Sequence, residues 1–152
     1  MMPHKISQRI VTDRLDWVDK MLAQIRSLPL QSKKDFFADS RNVWTAESCL
    51  RRALEALFDL GRHVLAKGFT VGVSEYKEIA RGLREHTVLS AEDADMMRTL
   101  AGYRNRLVHF YHEVSEDELY EICSTQLGDV EHVANALRRW FTENIDKLDD
   151  TL

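Results

Sequence analysis

Glycine and proline are scarce, with six and two in 152 residues. Turns are therefore few, and uninterrupted helices are favoured. The two cysteines, Cys49 and Cys123, are too few for a disulfide framework. Both fall at partly apolar helical positions and read as buried free thiols of a reducing compartment. A zinc site would need more ligands at tighter spacing. No apolar run approaches the ~18 residues of a membrane span. Met1-Met2-Pro3-His4-Lys5 leads straight into an amphipathic pattern, without an apolar signal core. No strand-like alternation is sustained, and no repeat of about 20–50 residues appears. Gly-rich phosphate loops and Ser-His-Asp arrangements are also missing. The expectation is one cytoplasmic domain over residues 1–152, free of membrane segments.

The net charge of −4 argues mildly against a nucleic-acid binder, but its distribution is uneven. Residues 1–110 carry 18 basic against 14 acidic side chains, whereas residues 111–152 carry 3 against 11. Such asymmetry fits either a local positive cleft or a solvated acidic face.

Apolar residues recur at three- to four-residue steps, which predicts an all-helical bundle of four to five main helices. The first covers roughly Ile6 to Leu28 and stops at Pro29. A short element near Lys33–Phe37 follows a possible Ser32 cap. The second runs from Asn42 to Lys67, with Gly61 implying a close helix contact and Gly68 the stop. The third spans Ser74 to Glu85. Capping boxes at Ser90-Ala91-Glu92-Asp93 and Ser115-Glu116-Asp117-Glu118 open the fourth and fifth. The tail over 146–152 is acidic and reads as frayed.

Arg104-Asn105-Arg106-Leu107-Val108-His109-Phe110-Tyr111 interrupts this apolar logic. On a wheel of about 100° per residue, Arg104 lies between Leu100 and Val108, with Tyr111 nearby. A guanidinium inside an apolar stripe must be paired or must line a cleft. Arg106 points away and reads as a solvated charge. Asn105 and His109 form an i,i+4 pair on one flank. Arg104 and His109 are offset by about 140° on an ideal helix. Converging them takes a kink, a helix end near His109, or a second copy of the helix. A two-fold dimer is the simplest of these.

The spacing Arg-x4-His-x-Tyr resembles the signature of the HepT-like branch of the HEPN superfamily. The stretch Leu50–His63 resembles that family's long second helix, and the helix order agrees over about residues 5–145. The resemblance implies a metal-independent endoribonuclease toxin without a cofactor. Arg104 would hold the phosphate, His109 would act as base or acid, and Asn105 would orient His109 or bind phosphate. It also implies a cognate minimal nucleotidyltransferase antitoxin that adds AMP to Tyr111. A helical binding module without catalysis, partnered with a nucleotidyltransferase, is the alternative. His109, His112 and Glu113 match no ordered zinc motif. His63 and His86 read as surface or satisfied helix histidines. Arg51–Arg52 could contact RNA or simply be solvated. Trp17, Trp44 and Trp140 read as core or interface anchors.

Overall fold

The computed structural model describes residues 5–152; the opening Met1–His4 lies outside them. The chain is all-helical, with seven α-helices and one two-stranded pairing among the described residues. In order they are β1 (Ile6–Ser7), α1 (Gln8–Arg26), α2 (Lys33–Phe37), α3 (Ser40–Phe69), α4 (Tyr76–Glu85), α5 (Ala91–Leu107), α6 (Glu116–Thr125) and α7 (Leu127–Glu143). A 3-10 turn at Ile145–Lys147 leads to β2 (Leu148–Asp149).

Side-chain caps start every α-helix but α7. Ser7 Oγ accepts the Ile10 amide at 3.2 Å, Ser90 Oγ the Asp93 amide at 3.1 Å, and Ser115 Oγ the Glu118 amide at 3.1 Å. Each such cap contributes about 1 kcal/mol. Ser32 caps α2 as expected.

Helix α3 is the axis of the fold. It buries Val43, Leu50, Leu54, Leu57, Leu60 and Val64. Against it lies α1, burying Val18, Leu22 and Ile25. Ser7 meets His63 and the Asp13–Trp17 stretch faces Arg52–Asp59, so the two helices run antiparallel. Gly61 marks the close approach of α4: a Cβ there would sit 2.8 Å from Ile79 Cγ2 and 3.1 Å from Leu83 Cδ1.

Three expectations need correction. Gly68 lies inside α3, pressed against Ile6, and the left-handed stop is Thr70 at φ 58°. The fifth helix is two helices meeting at Gln126. The split lets α6 pack on α3 while α7 packs on α5 and α1, which one straight rod could not do. The tail expected to fray is tied down. Leu148 and Asp149 pair in parallel with Ile6 and Ser7, and Ser7 Oγ donates to the Leu152 carbonyl at 3.0 Å. Of the expected core or interface anchors, Trp140 is buried in the core and Trp44, 60% exposed, fits only the interface alternative. No helix among the described residues is long and apolar enough to cross a membrane.

Candidate functional site

The octet straddles the end of α5. The helix stops at Leu107, and a compact turn takes over. His109 and Phe110 donate back to the carbonyls of Arg106 and Leu107 at 3.0 and 3.1 Å. Glu113 donates to the His109 carbonyl at 2.9 Å, and Tyr111 to the Val114 carbonyl at 3.0 Å. Tyr111 adopts φ 74°, a left-handed conformation that costs a non-glycine residue about 1–3 kcal/mol. Such strain persists only where the surroundings enforce it.

Arg106 ties the far side of this turn to α6. Its Nη2 donates to the Glu113 carbonyl at 2.9 Å and also binds the Glu118 carboxylate at the start of α6. The expected solvated charge is instead the staple that closes the turn.

The helix end also revises the wheel. Arg104 keeps its helical position, but His109 and Tyr111 lie beyond the last turn and follow no helical phase. Among the described residues no hydrogen bond joins Asn105 to His109. The His109 side chain is 62% exposed, with Nε2 3.9 Å from a Glu113 oxygen. Tyr111 is 60% exposed, its ring 4.3 Å from that of Phe110. Asn105 is half-buried on α5. Both side chains of the turn are thus reachable from solvent.

Arg104 satisfies the demand for a partner in the apolar stripe. Its Nη2 donates to Glu55 Oε2 at 3.1 Å, and its guanidinium carbon lies 4.5 Å from the centre of the Tyr76 ring. Its Nε is buried without a partner. The side chain is 25% exposed. Arg51 Nη1 donates to Glu55 Oε1 at 3.2 Å, and Arg51 Nε to Glu47 at 3.0 Å. The Tyr76 ring stacks on Phe58 at 4.8 Å with planes 5° apart. Arg62 approaches the same ring at 5.9 Å, held by Asp59 at 2.9 Å and the Ser74 carbonyl at 3.2 Å. Burial pushes the Tyr76 phenol above its ordinary range, against the pull of Arg104.

Sequence reasoning missed Glu55, Arg62 and Tyr76 as neighbours of the octet. The first two left a signal: Glu47, Arg51, Glu55, Asp59 and Arg62 recur along one polar face of α3. Tyr76 left none, since only the docking of α4 brings it to Arg104.

Three other histidines have structural partners. His63 Nε2 accepts the Ser7 amide at 3.0 Å, the His86 ring lies 4.5 Å from that of Phe69, and His132 bonds Asp93 at 2.7 Å. Burial raises both thiols, Cys123 to about 12, so neither is a ready nucleophile at neutral pH.

Comparison with known proteins adds four findings. The family model described as Ribonuclease HepT-like matches residues 18–137, a span that includes the octet. The tRNA nuclease HepT of Aphanizomenon flos-aquae (strain 2012/KM1/D3) is 24% identical over 118 residues, covering 78% of this chain and 80% of that protein. A tri-AMPylated HEPN toxin of Shewanella oneidensis, solved with its MNT antitoxin, superposes with a TM-score of 0.75 at 18% identity, covering 86% of this chain and 97% of the toxin. YutE of Bacillus subtilis, a cytosolic protein of unknown function, superposes at 0.73 with 19% identity, covering 92% and 95%. At such identities the structural likeness speaks for the fold alone.

Proposed function

The chain belongs to the HepT-like ribonuclease family, and from that premise we propose that it is a metal-independent endoribonuclease toxin whose chemistry resides in Arg104, Asn105 and His109. The observation that carries this reading is the octet itself. Its arginine is anchored on a helix end, and its histidine and tyrosine are exposed on the turn that follows.

RNA brings its own nucleophile. A neutral His109 takes the proton of the 2′-OH, and the resulting oxygen attacks phosphorus. The bond from phosphorus to O5′ breaks, and a protonated imidazole delivers the proton that the leaving oxygen needs. The products are a 2′,3′-cyclic phosphate and a 5′-hydroxyl. Arg104 holds the phosphate and stabilises the charge that builds on its oxygens. Asn105, on the preceding turn, binds phosphate or orients the imidazole. One motif contributes one histidine, and the reaction asks for a base and an acid. A two-fold dimer across this face supplies both.

The toxin state is reversed in this reading by a cognate minimal nucleotidyltransferase. It transfers AMP from ATP to the Tyr111 oxygen and releases pyrophosphate. The exposure of Tyr111, 60%, supports this reading. An added AMP would place a bulky anion beside the RNA site and mask Arg104.

The binding-module alternative draws on the Arg104–Glu55 ion pair, which neutralises the cation that phosphate would need. Cleavage assays in EDTA separate the two. Wild type is expected to cut RNA, and Arg104→Ala and His109→Ala to lose that activity. Cutting that survives both substitutions would place the chemistry elsewhere, and no cutting by wild type would favour the binding module.

A further inference from the structure

Resting on that reading, we propose that Glu55 and Tyr76 are positioning residues that hold Arg104 for phosphate binding in the transition state. Neither belongs to the octet, and both act through the guanidinium.

An arginine side chain is long and flexible, so a phosphate clamp built from it needs external restraint. Here the restraint is two-sided. Glu55 takes one hydrogen of Nη2 at 3.1 Å, and the Tyr76 ring lies against the guanidinium at 4.5 Å. Nη1 and the second Nη2 hydrogen remain as a fork for phosphate oxygens. Each restraint is itself fixed. Arg51 holds Glu55, and Phe58 stacks on Tyr76. The buried Nε without a partner fits a guanidinium whose placement follows the ring and the carboxylate rather than its own full hydrogen bonding.

The carboxylate carries a cost for function. A negative charge beside Arg104 repels a phosphate in the ground state as well as in the transition state. It serves catalysis only if orientation gains more in the transition state than repulsion loses. That balance gives a kinetic signature that a purely structural residue would not show.

Glu55→Gln removes the charge and weakens the tether. Under single-turnover conditions with an RNA substrate in EDTA, the rate constant is expected to fall about tenfold or more, while the half-saturating protein concentration also falls because repulsion is gone. Glu55→Asp keeps the charge and shortens the reach, so the rate constant falls with half-saturation unchanged. Tyr76→Phe keeps the ring face and remains close to wild type, and Tyr76→Leu loses rate. Thermal melting and circular dichroism accompany each variant. Should Glu55→Gln not fold, Glu55→Asp and Tyr76→Leu carry the test, and wild-type rate constants in both overturn the proposal. A Glu55→Gln protein with unchanged kinetics, or with a higher rate constant, overturns the proposal; so does a slower one whose half-saturation does not move. If wild type cleaves and His109→Ala does not, such a result sinks the positioning role alone. If wild type shows no cleavage, or His109→Ala cleaves as well as wild type does, the underlying reading falls and the positioning role falls with it.

Discussion

His63 shows how one atom links the two ends of the chain. Its Nε2 accepts the Ser7 amide, and Ser7 in turn caps α1 and reaches the Leu152 carbonyl. An accepting nitrogen carries no proton, so the folded state needs the neutral ring. Burial lowers its pKa from 6.5, and Lys67 and Arg14 push the same way. Above that value neither the folded nor the unfolded chain binds the proton, and stability is fully present. Below it the unfolded chain takes up the proton first, so stability declines as pH falls. Melting temperature should therefore drop as pH falls below 6.5, and His63→Gln, which can accept without titrating, should flatten the decline. An unchanged acid limb in that variant would assign the loss to other groups. Tyr111 makes a second case at this scale. Co-expression with a cognate nucleotidyltransferase should add AMP-sized increments to the peptide holding Tyr111, and none to Tyr111→Phe. An unmodified Tyr111 peptide would count against the antitoxin mechanism.

Helix ends and crossings govern the next scale. The α3–α4 crossing depends on Gly61, where a Cβ would come within 2.8 Å of a branched Ile79 methyl. Gly61→Ala gains helix propensity of about 1 kcal/mol but forces Ile79 aside, and overpacking costs about 1–3 kcal/mol. The expected net effect is a lower melting temperature by a few degrees, with Tyr76 displaced and RNA cleavage slowed in proportion. A more stable Gly61→Ala protein would show that α4 can yield. This crossing was legible in the sequence, because glycine inside a long apolar stripe has few other uses. The Ser90 and Ser115 caps were legible for the same local reason. The end of α5 was one of three options there. Apolar spacing runs on through Val108 and Phe110, and the structure takes the helix end near His109, with Arg106 bonding Glu113 and Glu118 across the turn. The spacing within Ser115–Phe141 did not reveal that α6 and α7 serve different neighbours. Local chemistry was readable wherever partners lie within a turn or two. Partners supplied by distant helices, Glu55 and Tyr76 above all, were beyond its reach.

At the scale of the whole molecule, the acidic final third is partly balanced by the basic remainder. Arg26 pairs with Glu131 at 2.6 Å, Lys33 with Asp117 at 3.0 Å, and Arg106 with Glu118. Exposed pairs of this kind add little stability, typically about 0–1 kcal/mol each. Within a net charge of −4, Arg104 lies near a helix end beside an exposed turn. A two-fold pairing of that surface would set two histidines around one scissile phosphate. The decisive measurement is the chemistry of the RNA ends made by purified protein in EDTA. Wild type is expected to leave 2′,3′-cyclic phosphates and 5′-hydroxyls, and His109→Ala to leave the RNA intact. Fragments ending in 3′-hydroxyls, or the same cyclic ends from His109→Ala, would contradict a 2′-OH attack driven by this histidine.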